Sequence, residues 1–311
     1  MHRSAAPRDN RPEMILTILL PLALIQSATA TAACKWTAAS EVGTLASVVN
    51  ESSGMAISRR IPNRTYRIND SGDSGRFFVM DMKGGLIKTV NISRFDPIDA
   101  EDMAIGRCGQ SRDCIFIADT GDNGRRRQFI DLIVIEERED FSAEVQPAHR
   151  VRLRYPDGSH DAEGLGVHPD GTVYITTKDP TRSWIYRLSR DQWQSAPTSE
   201  AVLEPVVELD WSVLRPGTLA FTRLVTGMSI APDGKSFLLI NYGDAMEFFV
   251  DLSAGKPDPK KWKAGVDYRV LELTTLEQEE AIAYMPNGKS LLYDTEARET
   301  TRARIMKMDC R

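Results

Sequence analysis

A two-part motif recurs five times along this 311-residue chain, and it constrains the fold more than any other feature. Each copy opens with a short run that mixes apolar and small residues, turns into a second apolar run, and ends in a polar, acidic loop. The opening runs are residues 53–57, 101–105, 163–167, 226–230 and 280–284. The acidic loops are residues 68–73, 118–123, 177–179, 241–244 and 293–296. A repeat of about 50 residues predicts an all-β propeller with one blade per copy.

The apolar and β-branched runs between turns predict five blades of four antiparallel strands. In blades one to four we expect strands at 55–58, 65–69, 76–80, 86–92, 103–106, 114–118, 129–136, 150–154, 165–168, 172–177, 184–188, 202–209, 228–231, 236–241, 247–252 and 268–273. Blade five shows only 282–284, 290–294 and 303–308, so the segment after Cys34 should supply its outer strand and close the ring. Residues 211–225 are unassigned and too short for four strands. Six blades remain an alternative, with one blade that has lost its motif.

Small residues recur within the first run of each copy, and ordinary hydrophobic hairpins do not predict them. They are expected where radially arranged sheets converge on an axis and leave little room for side chains. The small residues are Gly54, Ala56, Ala104, Gly164, Gly166, Gly227, Ser229, Ala281 and Ala283.

Residues 1–33 read as a signal peptide rather than as part of the fold. A basic start leads into an apolar stretch over 14–25 and then into small residues, with cleavage expected within 28–33. The apolar stretch is too short for a membrane span. We therefore expect a propeller domain over residues 34–311 that is secreted or periplasmic and does not span a membrane.

Four cysteines in an exported chain indicate disulfides. Cys108 and Cys114 flank a polar turn between two predicted strands, so they can staple a hairpin. Cys34 and Cys310 lie at the two ends of the predicted domain, which usually meet in a propeller. A competing interpretation makes Cys34 the lipidated residue of a lipoprotein, because residues 31–34 loosely match a lipobox.

The net charge of -5 gives no basic surface for nucleic acid or anionic lipid. We therefore expect no nucleic-acid partner. We also expect a monomer that takes a small molecule or a glycan at one mouth of the propeller.

That mouth should be acidic, because the loops entering the inner strands and those joining the second and third strands open on the same face. The residues expected to ring the axis are Ser53, Glu101, Glu163, Thr226 and Glu280. Crowded carboxylates either hold protons or hold a cation. Oxygen ligands favour calcium first and magnesium second, with Glu101, Glu163, Glu280, Asp70 and Asp119 as candidate ligands. The loops of Asp70 and Asp119 equally fit metal-free Asx turns.

Catalytic candidates at the mouth are few, since only three histidines follow the predicted signal peptide. His160 and Asp161 precede an inner strand and can move protons, and Lys178 can hold an anionic substrate. A surface histidine beside acids is the alternative for His160. There is no nucleophile elbow, metal-binding histidine pair or phosphate-binding glycine loop.

Several of these stretches resemble motifs of exported bacterial β-propeller proteins of uncharacterised function. The matching stretches are residues 68–73, 99–104, 117–123, 155–163 and 225–234. The chain is more loosely similar to calcium-dependent propeller hydrolases of the phytase-like and lactonase groups. That similarity implies Glu101 and Glu163 as ligands of an axial cation, and metal-assisted hydrolysis of a phosphoester or lactone. The rival hypothesis is a binding protein for a sugar, peptide or protein partner with a structural metal.

Overall fold

The computed structural model describes residues 1–2, 34–274, 276, 278–297 and 302–311. The predicted signal peptide lies almost entirely outside these residues. Of the part that is described, no helix is long and apolar enough to cross a bilayer.

Five predominantly antiparallel sheets follow one another along the chain, as predicted. Blade 1 contains β2 (Ser52–Ile57), β3 (Thr65–Asn69), β4 (Arg76–Met80) and β5 (Leu86–Ile92). Blade 2 contains β6 (Ala100–Arg107), β7 (Asp113–Asp119), β8 (Ile130–Glu136) and β10 (His149–Arg154). Blade 3 contains β11 (Ala162–Val167), β12 (Val173–Thr177), β13 (Arg182–Leu188) and β15 (Glu204–Asp210). Blade 4 contains β16 (Val225–Ile230), β17 (Phe237–Asn241), β18 (Asp244–Phe248) and β19 (Tyr268–Glu272).

Blade 5 draws its strands from both ends of the described domain. β20 (Glu279–Tyr284), β21 (Ser290–Thr295) and β22 (Arg304–Asp309) are joined by β1 (Ser40–Thr44), which pairs antiparallel with β22. The prediction that an N-terminal strand completes the last blade is therefore confirmed. Cys34 and Cys310 form a disulfide beside this closure, and Cys108 and Cys114 form a second one across the β6–β7 turn.

The inner strands form a closed ring, because β2, β6, β11, β16 and β20 contact one another in cyclic order. Glycine permits this approach: a Cβ on Gly54 would lie 2.6 Å from the backbone nitrogen of Met103, and one on Gly227 would lie 2.6 Å from the carbonyl oxygen of Glu280. At these two positions, the small residues are therefore explained, as expected, by the convergence of the inner strands at the axis. Apolar side chains fill the space between neighbouring blades and make the core.

Two short strands were missing from the predicted layout. β9 (Glu144–Val145) adds in parallel to the outer edge of blade 1, and β14 (Thr198–Val202) adds in parallel to blade 2. Each comes from the connection before the fourth strand of the next blade. The predicted strand at 202–209 was therefore wrong at its start, because Val202 belongs to β14 in a different sheet.

Two segments of blade 4 also differ from expectation. Its third strand is β18, and it begins at Asp244 and ends before the predicted 247–252 segment does. The unassigned residues 211–225 contain a short helix (Trp211–Leu214) and a 3-10 turn at Ala220–Arg223 before β16 begins. They contain no additional blade, which leaves five.

Candidate functional site

A β-bulge interrupts the inner strand of every blade at the same place. The pairing with the second strand skips one residue in each case, and the skipped residues are Ser53, Glu101, Glu163, Thr226 and Glu280. A bulged residue is left out of the ladder and its side chain is re-aimed. These are the residues expected to ring the axis, although they are the second residue of each strand and do not precede it. All five are at most 5% exposed.

The bulges bring carboxylates from different blades together at the mouth. Oxygen atoms of Glu101, Asp161 and Glu163 lie within 4.8 Å of one another, and so do those of Asp70, Asp99 and Glu101. Glu101 belongs to both groups and is therefore the centre of the arrangement. Glu280, on the inner strand of blade 5, interacts electrostatically with Glu163. We call these six residues the axial carboxylates.

Burial and mutual repulsion raise the pKa values of five of the axial carboxylates, namely Asp99, Glu101, Asp161, Glu163 and Glu280. Burial raises the pKa of Glu163 to about 8, and the pKa values of Glu101 and Glu280 are raised well above the usual range by burial and then by Glu163. Burial, followed by Asp70, raises the pKa of Asp99 to about 6. The arrangement therefore favours added positive charge, supplied either by protons or by a metal ion. This buried acidic group could hold a divalent cation.

Lys178 is the cation that acts on the bulged glutamates. It follows β12, and its ammonium group contacts the carboxylate of Glu163 and donates to the hydroxyl of Tyr242 at 2.8 Å. The positive charge of Lys178 acts to lower the pKa values of Glu101, Glu163 and Glu280, against the larger effect of burial. Lys178 thus places one positive charge beside the axial carboxylates.

The two hydroxyls of the ring fasten neighbouring blades. Ser53 donates to the carbonyl oxygen of Glu101 at 2.6 Å and lies 3.2 Å from its carboxylate. Thr226 donates to the carbonyl oxygen of Glu279 at 2.8 Å. Both hydroxyls therefore hold the next bulged strand in position.

Two predicted site residues, Asp119 and His160, are not members of the two close groups of carboxylates. Asp119 pairs with Arg127 at 2.9 Å and accepts the backbone N–H of Asp99 at 2.8 Å, so its oxygens are used to fix the loop that carries Asp99. His160 lies 3.2 Å from Asp157 and 3.1 Å from the hydroxyl of Tyr186. Its hydrogen-bonding partners therefore lie outside the acidic groups. Asp161 does join the axial carboxylates, and it also accepts the backbone N–H of Asp122 at 2.8 Å.

One buried acid at the axis was not singled out from the sequence. Asp102 is 1% exposed, and one of its oxygens accepts the backbone N–H groups of Leu165 at 2.8 Å and Met228 at 3.1 Å. It therefore ties the inner strands of blades 2, 3 and 4 across the axis. A signal was present, because the other four copies of the motif carry Gly54, Gly164, Gly227 and Ala281 at this position.

No protein-family model matches this chain, and no curated protein matches it in sequence. Solved structures similar to it include a streptogramin B lyase, with 11% identity, 89% of this chain and 98% of that chain covered, and a TM-score of 0.46. A luciferin-regenerating enzyme has 9% identity, covers 87% and 94%, and gives a TM-score of 0.46. A nidogen/laminin complex has 16% identity, covers 79% and 73%, and gives a TM-score of 0.45. Likeness at this level carries no argument about function, and the propeller assignment rests on the sheets themselves.

Proposed function

We propose that this protein binds a divalent cation among the axial carboxylates and uses it to hydrolyse a phosphoester or a lactone. The observation that supports the proposal is the group formed by Glu101, Asp161 and Glu163, which is buried and brings three carboxylates within 4.8 Å. Buried charges of one sign are costly unless they are paired or coordinate a metal. A bound ion would relieve this cost directly.

The donor set favours a hard cation. All six axial groups offer carboxylate oxygens, which suit calcium first and magnesium second. Such an ion would polarise a phosphoryl or carbonyl oxygen and lower the pKa of a bound water. Glu101 and Glu163 are the ligands we propose from this chain, and Glu280, which interacts electrostatically with Glu163, is the next candidate. Asp161 adjoins them and would accept a proton from the attacking water.

A second candidate is a binding protein in which the ion is structural and the mouth holds a small molecule or glycan. The contacts of His160 favour it, because this histidine is occupied by Asp157 and Tyr186 instead of facing the axial carboxylates. Lys178 is likewise engaged, by Glu163. Turnover of substrate separates the two candidates, since both require the ion.

We also infer that the protein is exported as a monomer after cleavage within residues 28–33. Disulfides persist in oxidising compartments, and the described residues contain two. The bond between Cys34 and Cys310 uses the sulfur that a lipid would need, which supports the unlipidated form. N-terminal sequencing and mass measurement of the secreted protein test this directly, and a diacylglycerol mass on Cys34 would contradict it.

The test of function compares chelator-treated protein with and without calcium or magnesium. We expect calcium to raise the melting temperature of the parent protein and of a Glu139→Gln control, which changes an exposed acid elsewhere. We expect little or no such rise in Glu163→Gln. Hydrolysis of p-nitrophenyl phosphate and dihydrocoumarin is then measured with calcium present. Binding without turnover would favour the binding protein, and no shift with either ion would contradict both candidates.

A further inference from the structure

The ammonium group of Lys178 contacts a carboxylate oxygen that a bound cation would need as a ligand. It contacts Oε1 of Glu163, a member of the group formed with Glu101 and Asp161. An ammonium ion and a divalent cation also repel each other at this range. The protein therefore holds one of its own positive charges at the position proposed for the metal.

Lys178 has a second partner that does not belong to the axial carboxylates. The hydroxyl of Tyr242 accepts from its ammonium at 2.8 Å, and the ring of Tyr242 lies 5.0 Å from the same nitrogen. Tyr242 comes from the β17–β18 turn of blade 4, whereas Lys178 and Glu163 belong to blade 3. The lysine can thus give up Glu163 and still keep a hydrogen bond and a cation–π contact.

Glu280, on the inner strand of blade 5, is a further buried acid that shares the charge of Lys178. Its side chain is 5% exposed, and no hydrogen bond or ion pair to its carboxylate is found among the residues that the structure describes, although its oxygens are not fully shielded from water. After burial, the charges of Glu163 and then Lys178 act most on its pKa. One lysine shared among these groups leaves Glu280 without a partner of its own.

We propose that Lys178 is a tethered counter-cation, which a divalent ion displaces from Glu163 and which Tyr242 then retains inside the mouth. The inference rests on the proposed function, because it requires an ion among the axial carboxylates. Lys178 stabilises the ion-free mouth and sets the cation concentration at which the ion enters. The mouth therefore has two states, which differ in whether Lys178 or the ion holds Glu163.

The charge of Lys178 should weaken ion binding by a measurable factor. A unit charge about 6 Å from a divalent ion changes the affinity roughly tenfold even with the dielectric constant of water, and more in a partly buried site. Lys178→Met keeps the unbranched side chain to within one atom of its length and removes the charge. We expect it to bind calcium at least about tenfold more tightly than the parent protein.

Tyr242→Phe should change the affinity in the opposite direction. Once the ion binds Glu163, the hydroxyl of Tyr242 is the hydrogen-bond partner that Lys178 keeps. Loss of this hydroxyl should therefore destabilise the ion-bound state more than the ion-free state. We therefore expect weaker calcium binding in Tyr242→Phe than in the parent protein. General damage to the mouth would weaken binding in both variants and would not produce opposite signs.

Isothermal titration of calcium into the chelator-treated protein decides the matter. The proteins compared are the parent, Lys178→Met, Tyr242→Phe and the control Lys235→Met, which removes an exposed lysine from the turn between β16 and β17. Tighter binding in Lys178→Met alone, with Lys235→Met unchanged, supports displacement. Binding by Lys178→Met when the parent shows none also supports it.

Two other results would overturn the inference, and they are distinguishable. Equal or weaker calcium binding in folded Lys178→Met would refute displacement while leaving the cation site in place. No binding by any of the four proteins would refute the cation site itself, and displacement with it. Circular dichroism melts show whether each variant is folded, and Tyr242→Phe tests the tether independently if Lys178→Met is unfolded.

Discussion

The ion pair between Arg67 and Asp294 joins the first and last blades, and removing its acid should destabilise the ring severely. Both side chains are fully buried, and Asp294 accepts from Nε of Arg67 at 2.8 Å and from the hydroxyl of Ser52 at 3.1 Å. After Asp294→Ala, the guanidinium keeps one hydrogen bond, to the carbonyl oxygen of Tyr66 at 2.9 Å. The ring would then close over an unpaired buried charge.

The expected loss of unfolding free energy is about 3–5 kcal/mol, the range for breaking one partner out of a buried ion pair. The exposed pair of Arg304 and Glu41 provides a matched control, because it also lies at the closure but is 45% and 47% exposed. Glu41→Ala should therefore cost less than about 1 kcal/mol. Replacing both buried partners, as Arg67→Met with Asp294→Leu, should recover much of the loss.

Urea unfolding followed by tryptophan fluorescence measures all of these variants. A loss below about 1 kcal/mol in Asp294→Ala would refute the reasoning, because it would mean that the first and last blades do not depend on this pair.

Three further predictions concern pH, closure and packing. With chelator present, the melting temperature should fall as the pH rises from about 5 to about 8. The native state keeps a proton on Glu163, whose pKa is raised to about 8, whereas unfolded glutamates lose theirs near 4.5. Calcium should reduce this pH dependence, and a melting temperature that rises with pH would contradict the prediction. Replacing Cys34 and Cys310 by serine should lower the free energy of unfolding by about 3–5 kcal/mol, as measured in urea. Replacing Cys108 and Cys114 should lower it less, because that disulfide closes a loop with a sequence separation of 6 instead of 276. Equal losses would count against ring closure by the first disulfide. Gly54→Ala should lower the melting temperature, because its Cβ would meet the backbone of Asp102 and Met103, whereas Gly124→Ala should not, since its Cβ has no neighbour nearer than 3.5 Å.

The fold was predictable because the repeat is visible in residue types as well as in hydrophobicity. Small residues at fixed places mark the convergence of the inner strands, as at Gly54 and Gly227. The added strands β9 and β14 were not predictable in the same way. Each lies in the connection between the third and fourth strands of a blade, and each is held by parallel pairing with the sheet of the preceding blade.

The candidate site was predictable in outline only. The position shared by Glu101, Glu163 and Glu280 followed from the repeat, and the bulges explain why these side chains are gathered. The ion-pair partners of Asp119 and His160 could not be predicted from the sequence. Loop conformation decides that Asp119 pairs with Arg127 and that His160 lies beside Asp157. The tie between Lys178 and Tyr242 joins two blades and has no local signal.

A crystal structure of the protein grown with calcium and recorded at a long wavelength tests the central claim most directly. An anomalous difference map shows calcium together with the sulfur atoms of cysteine and methionine, which report on the quality of the map. The account predicts a peak at about 2.3–2.6 Å from oxygens of Glu101 and Glu163. A map that shows the sulfur atoms but no peak among the axial carboxylates would contradict it.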